Sequence, residues 1–244
     1  MNEPSSSPSD LPQLKTSHLK NEAYKVIKQG ITELRFRPGD PVNENDLARL
    51  LGISKTPVRN ALVRLEQEGL VITAPFRGTY VTPVSARDVR EIYEVRGALE
   101  ELAIRKVVSH LPPDEITKLF HVIDEATDNV QHGKLNESFK SIRLFHEGLV
   151  NATGNRWMIN MYDSLSAHLA RIRNICGHIP GRVEKSNAEH RAILEAIASV
   201  DSEQAIGKLR LHLDSLAADY VSAAGEALKT IEVPAATIAS DTER

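Results

Sequence analysis

GISKTPVRNALVRLEQEGL, residues 52–70, opens on small polar and basic residues around a proline and then runs into apolar side chains at helical spacing. Ser54 is placed to cap a helix. Pro57 suits the first turn, where the amide has no partner inside the helix. Val58, Leu62 and Leu65 then share one face, and Gly69 closes the segment. Lys55 and Arg59 lie one turn apart, so both can point outward together while the apolar stripe points inward.

Moving upstream, Asn43 is placed to cap a short helix through Leu47, Ala48, Leu50 and Leu51, with Asp46 favourable in its first turn and Gly52 at its end. Arg37-Pro38-Gly39-Asp40 reads as a turn. Leu19, Ala23, Val26, Ile27, Ile31 and Leu34 recur at helical spacing and predict a helix before it. Downstream, residues 70–73 and 79–82 are short β-prone segments joined by Ala74-Pro75-Phe76-Arg77-Gly78, which predicts a hairpin.

Three helices followed by a hairpin predict a winged helix-turn-helix. In that motif the second helix of the helix-turn-helix enters the major groove of DNA and uses its N-terminal residues on bases and phosphates. This explains the opening stretch: small hydroxyl residues let the backbone approach, and free amides attract phosphate. Arg77 beside Gly78 falls at the wing tip, where an arginine can enter a narrow minor groove. The alternative is a capped surface helix with Lys55 and Arg59 merely solvated. The hairpin and the local charge weigh against it, because residues 19–83 carry ten Lys and Arg against seven Asp and Glu.

The remainder is different. Residues 84–244 carry 19 Lys and Arg against 24 Asp and Glu, within a chain of 244 residues and net charge −3. A basic front and an acidic rear suggest different partners. Pro83-Val84-Ser85 is the expected boundary, with Ser85 and Asp88 resembling a helix start. Beyond it the spacing predicts helices over about 86–109, 113–131, 135–152, 155–175, 184–199 and 201–226. The expected organisation is a disordered leader over 1–17, a winged domain over 18–83, a helical domain over 84–226 and a flexible tail over 227–244. Apolar content of 41% and charged content of 26% are those of a globular protein. The single cysteine, Cys176, excludes an intrachain disulfide and fits a reducing compartment. No apolar run reaches the ~20 residues of a membrane span, and residues 1–10 do not form a signal peptide, so a cytoplasmic protein is expected.

Residues 19–82 resemble the N-terminal domain of GntR-family transcription regulators. The resemblance is carried by RPGDPVNENDLARLLGISKTPVRNALVRLEQEGLV and RGTYV. It implies that Ser54, Lys55, Thr56 and Arg59 contact DNA, with Arg35, Asn45 and the Arg77-Gly78 wing as secondary contacts. Residues 86–222, beginning at EIYEVRGALEELAIRKV, resemble the FadR-type C-terminal (FCD) domain of the same regulators. That implies a bundle of six or seven helices binding a small effector, often beside a divalent metal.

Nine histidines are present. His146, His190 and His212 flank apolar positions and can point into the bundle. Three converging imidazoles suit a transition metal, zinc or nickel rather than calcium. A lone inward histidine is more often a hydrogen-bonded core residue, and spacing alone does not bring three helices together. The resemblance does: in FCD domains an Asp one turn before a His joins that His and two more on the last two helices. His146, His190 and His212 match the three histidines, but Ile142 stands where the Asp is expected, and isoleucine cannot ligate. The resemblance also implies that Arg96 and Arg143 anchor an effector carboxylate. For Arg96 the alternative is a surface pair with Glu100. Arg171 and Arg173 sit at a basic helix end and are weaker anchors.

The function expected is a ligand-responsive regulator, a homodimer on a palindromic operator, since one recognition helix reads too few base pairs alone. Its small effector would bear a carboxylate. A metal-only sensor stays open. A zinc hydrolase would need only the three histidines and a metal-bound water, but the chain has no His-Glu-x-x-His, Gly-x-Ser-x-Gly or Gly-rich phosphate loop.

Overall fold

The computed structural model describes residues 17–176 and 179–227. The leader and tail expected at the two ends lie outside these residues, apart from Ser17 and Ala227. Among the described residues there are nine helices and one two-stranded sheet. The chain divides into two compact units that change over between residues 82 and 83, with residues 32–34 grouped with the second.

The first unit contains α1 (Ser17–Thr32), α2 (Glu44–Leu51), α3 (Lys55–Gln67), β1 (Val71–Ala74) and β2 (Gly78–Val81). Asn43 caps α2 by accepting the Asn45 amide at 2.7 Å. Gly52 ends it at φ +65, where a residue with a Cβ would be strained. Ser54 holds the N-cap position of α3, yet its side chain makes no capping hydrogen bond. The antiparallel hairpin pairs Val71 with Val81 and Ala74 with Gly78, one residue later at its start and one earlier at its end than the β-prone segments suggest. Pro41 adds a bridge to Tyr80.

Ile27, Ile31, Val58, Leu62, Leu65, Leu70 and Val81 form the buried interior of this unit. Leu19, Val26 and Leu50 were expected on the apolar faces but are exposed. The inward face of α1 is instead Ala23, Tyr24, Ile27 and Ile31, a stripe that Val26 misses by a quarter turn. Tyr24 takes the extra place because its hydroxyl donates to Glu68 at 2.7 Å while Arg64 stacks 3.6 Å from its ring centre.

The second unit is a bundle of α4 (Ala86–Val107), α5 (Pro113–Gln131), α6 (Leu135–Asn151), α7 (Arg156–Cys176), α8 (Arg182–Ala198) and α9 (Ser202–Ala227). Six helices are therefore described. Ser85 and Asp88 form a reciprocal capping box at the start of α4, the Asp88 amide donating to Ser85 Oγ at 3.1 Å and the Ser85 amide to Asp88 Oδ2 at 2.6 Å. Phe145, Leu149, Ile193, Leu194, Ile206 and Leu209 occupy the core. Gly148 lets α6 approach α5: a methyl group there would stand 2.8 Å from the Leu119 side chain. No helix among the described residues is long and apolar enough to cross a membrane.

Candidate functional site

In the first unit, Ser54, Lys55, Thr56 and Arg59 all lie on the exposed side of the first turns of α3, opposite buried Val58, Leu62 and Leu65. Arg35, Asn45, Arg77 and Gly78 are exposed as well. The helix therefore turns its uncommitted hydroxyls and its cations outward. Arg59 is not simply solvated. Its Nε donates to Glu44 Oε1 at 3.0 Å and its Nη2 to Glu44 Oε2 at 2.9 Å, so α2 grips it in a forked pair. The hydrogen bond from Arg59 and the nearby Lys55 charge hold the Glu44 carboxyl below its ordinary value.

In the second unit, α6, α8 and α9 bring His146, His190 and His212 to one buried point. His146 Nε2 lies 3.0 Å from His190 Nε2, which lies 3.1 Å from His212 Nε2. Behind them stand two carboxylates. His146 Nδ1 is 2.9 Å from Glu100 Oε2, and His212 Nδ1 is 2.6 Å from Glu189 Oε2. A carboxylate can only accept, so each of these Nδ1 atoms carries the proton and each partner Nε2 presents a lone pair inward. His190 Nδ1 is buried with no hydrogen-bond partner.

Burial, with Glu100 opposing it, pushes the His146 imidazole down to about 4. Burial also holds His190 well below its ordinary value, and His212 below its own. All three rings are therefore neutral near pH 7, the form that ligates metal.

These residues fit a transition metal. Inward lone pairs on facing imidazoles repel one another unless a cation or proton lies between them. The nitrogen separations are close to the roughly 3.3 Å edge of a tetrahedron with metal–nitrogen bonds of about 2.0–2.1 Å. Three imidazoles with no carboxylate among the donors suit zinc or nickel rather than calcium or magnesium. Ile142 lines the adjacent wall and offers no donor.

That wall belongs to a cavity of about 90 Å³ which the three histidines also line. Arg96 lines it too, but it is no surface residue. It is buried, and its Nε donates to Glu100 Oε1 at 2.7 Å. Glu100 thus holds Arg96, His146 and the Tyr162 hydroxyl, the last at 2.7 Å. Burial alone would raise the Glu100 carboxyl, but the Arg96 and His146 partners outweigh it and hold the group far below its ordinary value. Arg143 is half exposed at the edge, 3.5 Å from Glu147. Arg173 proves the deeper group: it lines the cavity, stacks 4.7 Å from the Phe139 ring centre, and its buried Nε has no hydrogen-bond partner. Arg171 is buried but does not line the cavity.

Three contributors escaped the sequence reading. Glu100 was considered only as a surface partner of Arg96. Its signal was the i,i+4 spacing, and what the spacing lacks is depth. Glu189, adjacent to His190, reaches back to His212 on the next helix. Arg182 lines the cavity and donates to Glu189 at 3.0 Å; nothing in its local sequence separates it from an ordinary helix-start residue.

A two-stranded wing on a three-helix head with outward hydroxyls and cations, together with a helical bundle whose core holds polar groups around a cavity, has the build of a helix-turn-helix transcription regulator. Residues 19–81 match the description "Bacterial regulatory proteins, gntR family" and residues 91–215 match the FCD domain. The chain belongs to the GntR family and carries an FCD domain behind its helix-turn-helix head. It is 33% identical over 196 residues to the HTH-type transcriptional regulator YdhC of Bacillus subtilis, covering 78% of this chain and 86% of that one. It is 22% identical over 201 residues to the HTH-type transcriptional repressor RspR of Escherichia coli, covering 82% and 88%. Among solved structures, E. coli McbR/YncC superposes with a TM-score of 0.71 at 22% identity, covering 84% of this chain and 97% of the other. A GntR regulator from Rhodococcus sp. RHA1 gives 0.72 at 19% identity, covering 84% and 99%. These two structures share the fold.

Proposed function

We propose that this chain is a cytoplasmic, ligand-responsive regulator that binds a palindromic operator as a homodimer and holds a zinc-class metal and a small carboxylate effector in its bundle. The observation that carries this reading is the meeting of three inward Nε2 atoms, two of them backed by carboxylates, beside a cavity lined by Arg96, Arg173 and Arg182. His146, His190 and His212 would hold the metal, which supplies a positive centre able to take an anionic oxygen.

The protein's own groups do the rest. Glu100 and Glu189 orient two of the rings. Arg173, with an unmatched buried Nε, is placed to donate to an effector carboxylate. One water needs roughly 10–15 Å³ by the same measure, so 90 Å³ is room for about six to nine water-sized groups, the size of a short-chain acid. Ile142 removes the one anionic side chain expected in the metal set, which leaves that charge for the effector to supply.

For the dimer, Trp157 and Met161 on α7 are exposed one turn apart, and such apolar surface suits a second copy. On the head, Ser54, Lys55, Thr56 and Arg59 would read the duplex, with Arg35, Asn45 and Arg77 on its backbone and minor groove.

The test is metal analysis of the full chain after dialysis against zinc, beside His190→Ala. The reading expects about one zinc per wild-type chain and none held by the variant. Equal zinc in both proteins would refute the histidine centre.

A further inference from the structure

Phe76 lies at the tip of the hairpin between Pro75 and Arg77, and its ring is fully exposed, the most exposed of the large apolar side chains described. The Arg77 amide donates to the Ala74 carbonyl at 3.1 Å, closing a four-residue turn over Ala74–Pro75–Phe76–Arg77. Pro75 holds the second position and Phe76 the third, at φ +62. That is the pattern of a type II turn, which favours Gly or Asn at its third position because other side chains are strained there. A bulky aromatic in this region is an outlier, and residues kept in such conformations concentrate where function requires them.

The turn is also braced. The Tyr80 hydroxyl donates to the Arg77 carbonyl at 2.9 Å, and Thr73 and Thr79 share a hydroxyl contact of 3.2 Å across the strands. The Thr73 amide donates to Glu66 Oε1 at 2.9 Å, which ties the hairpin to the end of α3. The ring is therefore presented on a stiff support fixed to the same helix that carries Lys55 and Arg59, with a cation beside it in sequence. Folding gains nothing from this arrangement, since the ring buries no surface within the chain and its backbone is strained.

We propose that Phe76 is an apolar wedge that enters the minor groove of the bound duplex, packs on its sugar walls and partly unstacks one base step beside the sequence read by α3. This rests on the DNA-binding reading of the head and adds a residue that acts through shape rather than charge. Apolar wedges of this kind favour steps that unstack easily, so the pyrimidine–purine steps TA and CA are expected at the contact. Arg77 supplies the neighbouring electrostatic contact.

The experiment uses the full chain and a duplex enriched by the wild-type protein from a randomised pool, with 2-aminopurine placed at successive flanking positions. Phe76→Asn keeps a residue that tolerates the turn and removes the ring; Phe76→Leu keeps apolar bulk. Wild type should raise 2-aminopurine fluorescence at one flanking step per head. Phe76→Asn should abolish that rise and weaken binding about tenfold, with the dependence on salt unchanged because no phosphate contact is lost. Phe76→Leu should retain most of both. The proposal is overturned if Phe76→Asn matches wild type in affinity and fluorescence, or if its loss comes with a shallower salt dependence, which would mean the ring acts only by placing Arg77. Should the wild-type chain enrich no duplex at all, the DNA-binding reading itself fails, and this inference with it.

Discussion

Glu100 and His146, 46 residues apart, meet at 2.9 Å in the core of the bundle, and the same carboxylate also takes Arg96 and Tyr162. One buried acid therefore orients a ring of the histidine centre and neutralises a guanidinium that lines the cavity. Glu100→Gln should lower zinc affinity about 10–100-fold, the usual effect of losing a carboxylate behind a ligating imidazole. It should also destabilise the chain, because an uncompensated buried charge costs about 3–5 kcal/mol. Zinc titration and denaturant unfolding read the two effects separately; unchanged zinc affinity would deny Glu100 its orienting role.

The forked pair between Glu44 and Arg59 predicts a brake on DNA binding. Arg59 must share or leave Glu44 to reach a phosphate or a base, and the carboxylate repels the duplex meanwhile. Glu44→Gln should bind non-specific duplex several-fold more tightly, and its plot of log affinity against log salt should steepen by about one. Arg59→Ala should weaken operator binding. Anisotropy titrations at several salt concentrations decide it, and an Arg59→Ala protein with wild-type affinity would displace Arg59 from the reading surface.

Restoring the expected carboxylate is a direct test of the altered donor set. Ile142 sits one turn before His146 on α6 and lines the same cavity, so Ile142→Asp would place an oxygen donor beside the three nitrogens. Its affinity for manganese should rise relative to zinc, since an oxygen donor suits the harder ion. Competitive metal titration of both proteins reads the ratio; no change would place residue 142 away from the metal.

Acid should weaken the metal-free fold in a defined window. His146 is pushed down to about 4 in the folded chain against an ordinary 6.5. Its folded value is depressed, so the unfolded chain binds more protons between these limits. The stabilisation is complete above about pH 6.5 and is lost as the pH falls towards 4, about 3 kcal/mol from this ring alone. Burial depresses His190 and His212 in the same direction. Denaturant unfolding in a chelator at pH 7 and pH 5 should show the loss, and equal stability at the two values would contradict it.

The exposed Trp157 and Met161 on α7 form the expected contact with a second copy. Changing Trp157 and Met161 together to Glu should give a monomer in sedimentation velocity and weaken operator binding, because two heads no longer act as one. A dimer that persists would move the interface elsewhere.

Much of the head was legible because its signals are local. Asn43 and Gly52 sit where caps and stops demand them, as Ser85 and Asp88 do at the start of the bundle, and Val58, Leu62 and Leu65 keep a clean period. Val26 and Leu19 misled because apolar identity marks a face only to within a quarter turn, and Tyr24 took the place through its bond to Glu68. In the bundle, the three histidines were visible as inward residues, and the structure brings the His146 and His212 nitrogens each to about 3 Å of His190 Nε2. Glu100, Glu189 and Arg182 stayed hidden because charged residues in helices are mostly solvated. Only the packing of α4, α8 and α9 shows which of them are buried against a partner.

The most direct test of the account is to titrate the zinc-loaded full chain, bound to its selected operator, with a panel of short-chain carboxylates while following anisotropy. At least one acid should release the wild-type protein from DNA, and His190→Ala, still able to bind the operator, should ignore that acid. If the variant is released as readily as wild type, or if no acid alters binding, the coupling of the histidine centre to DNA release is contradicted.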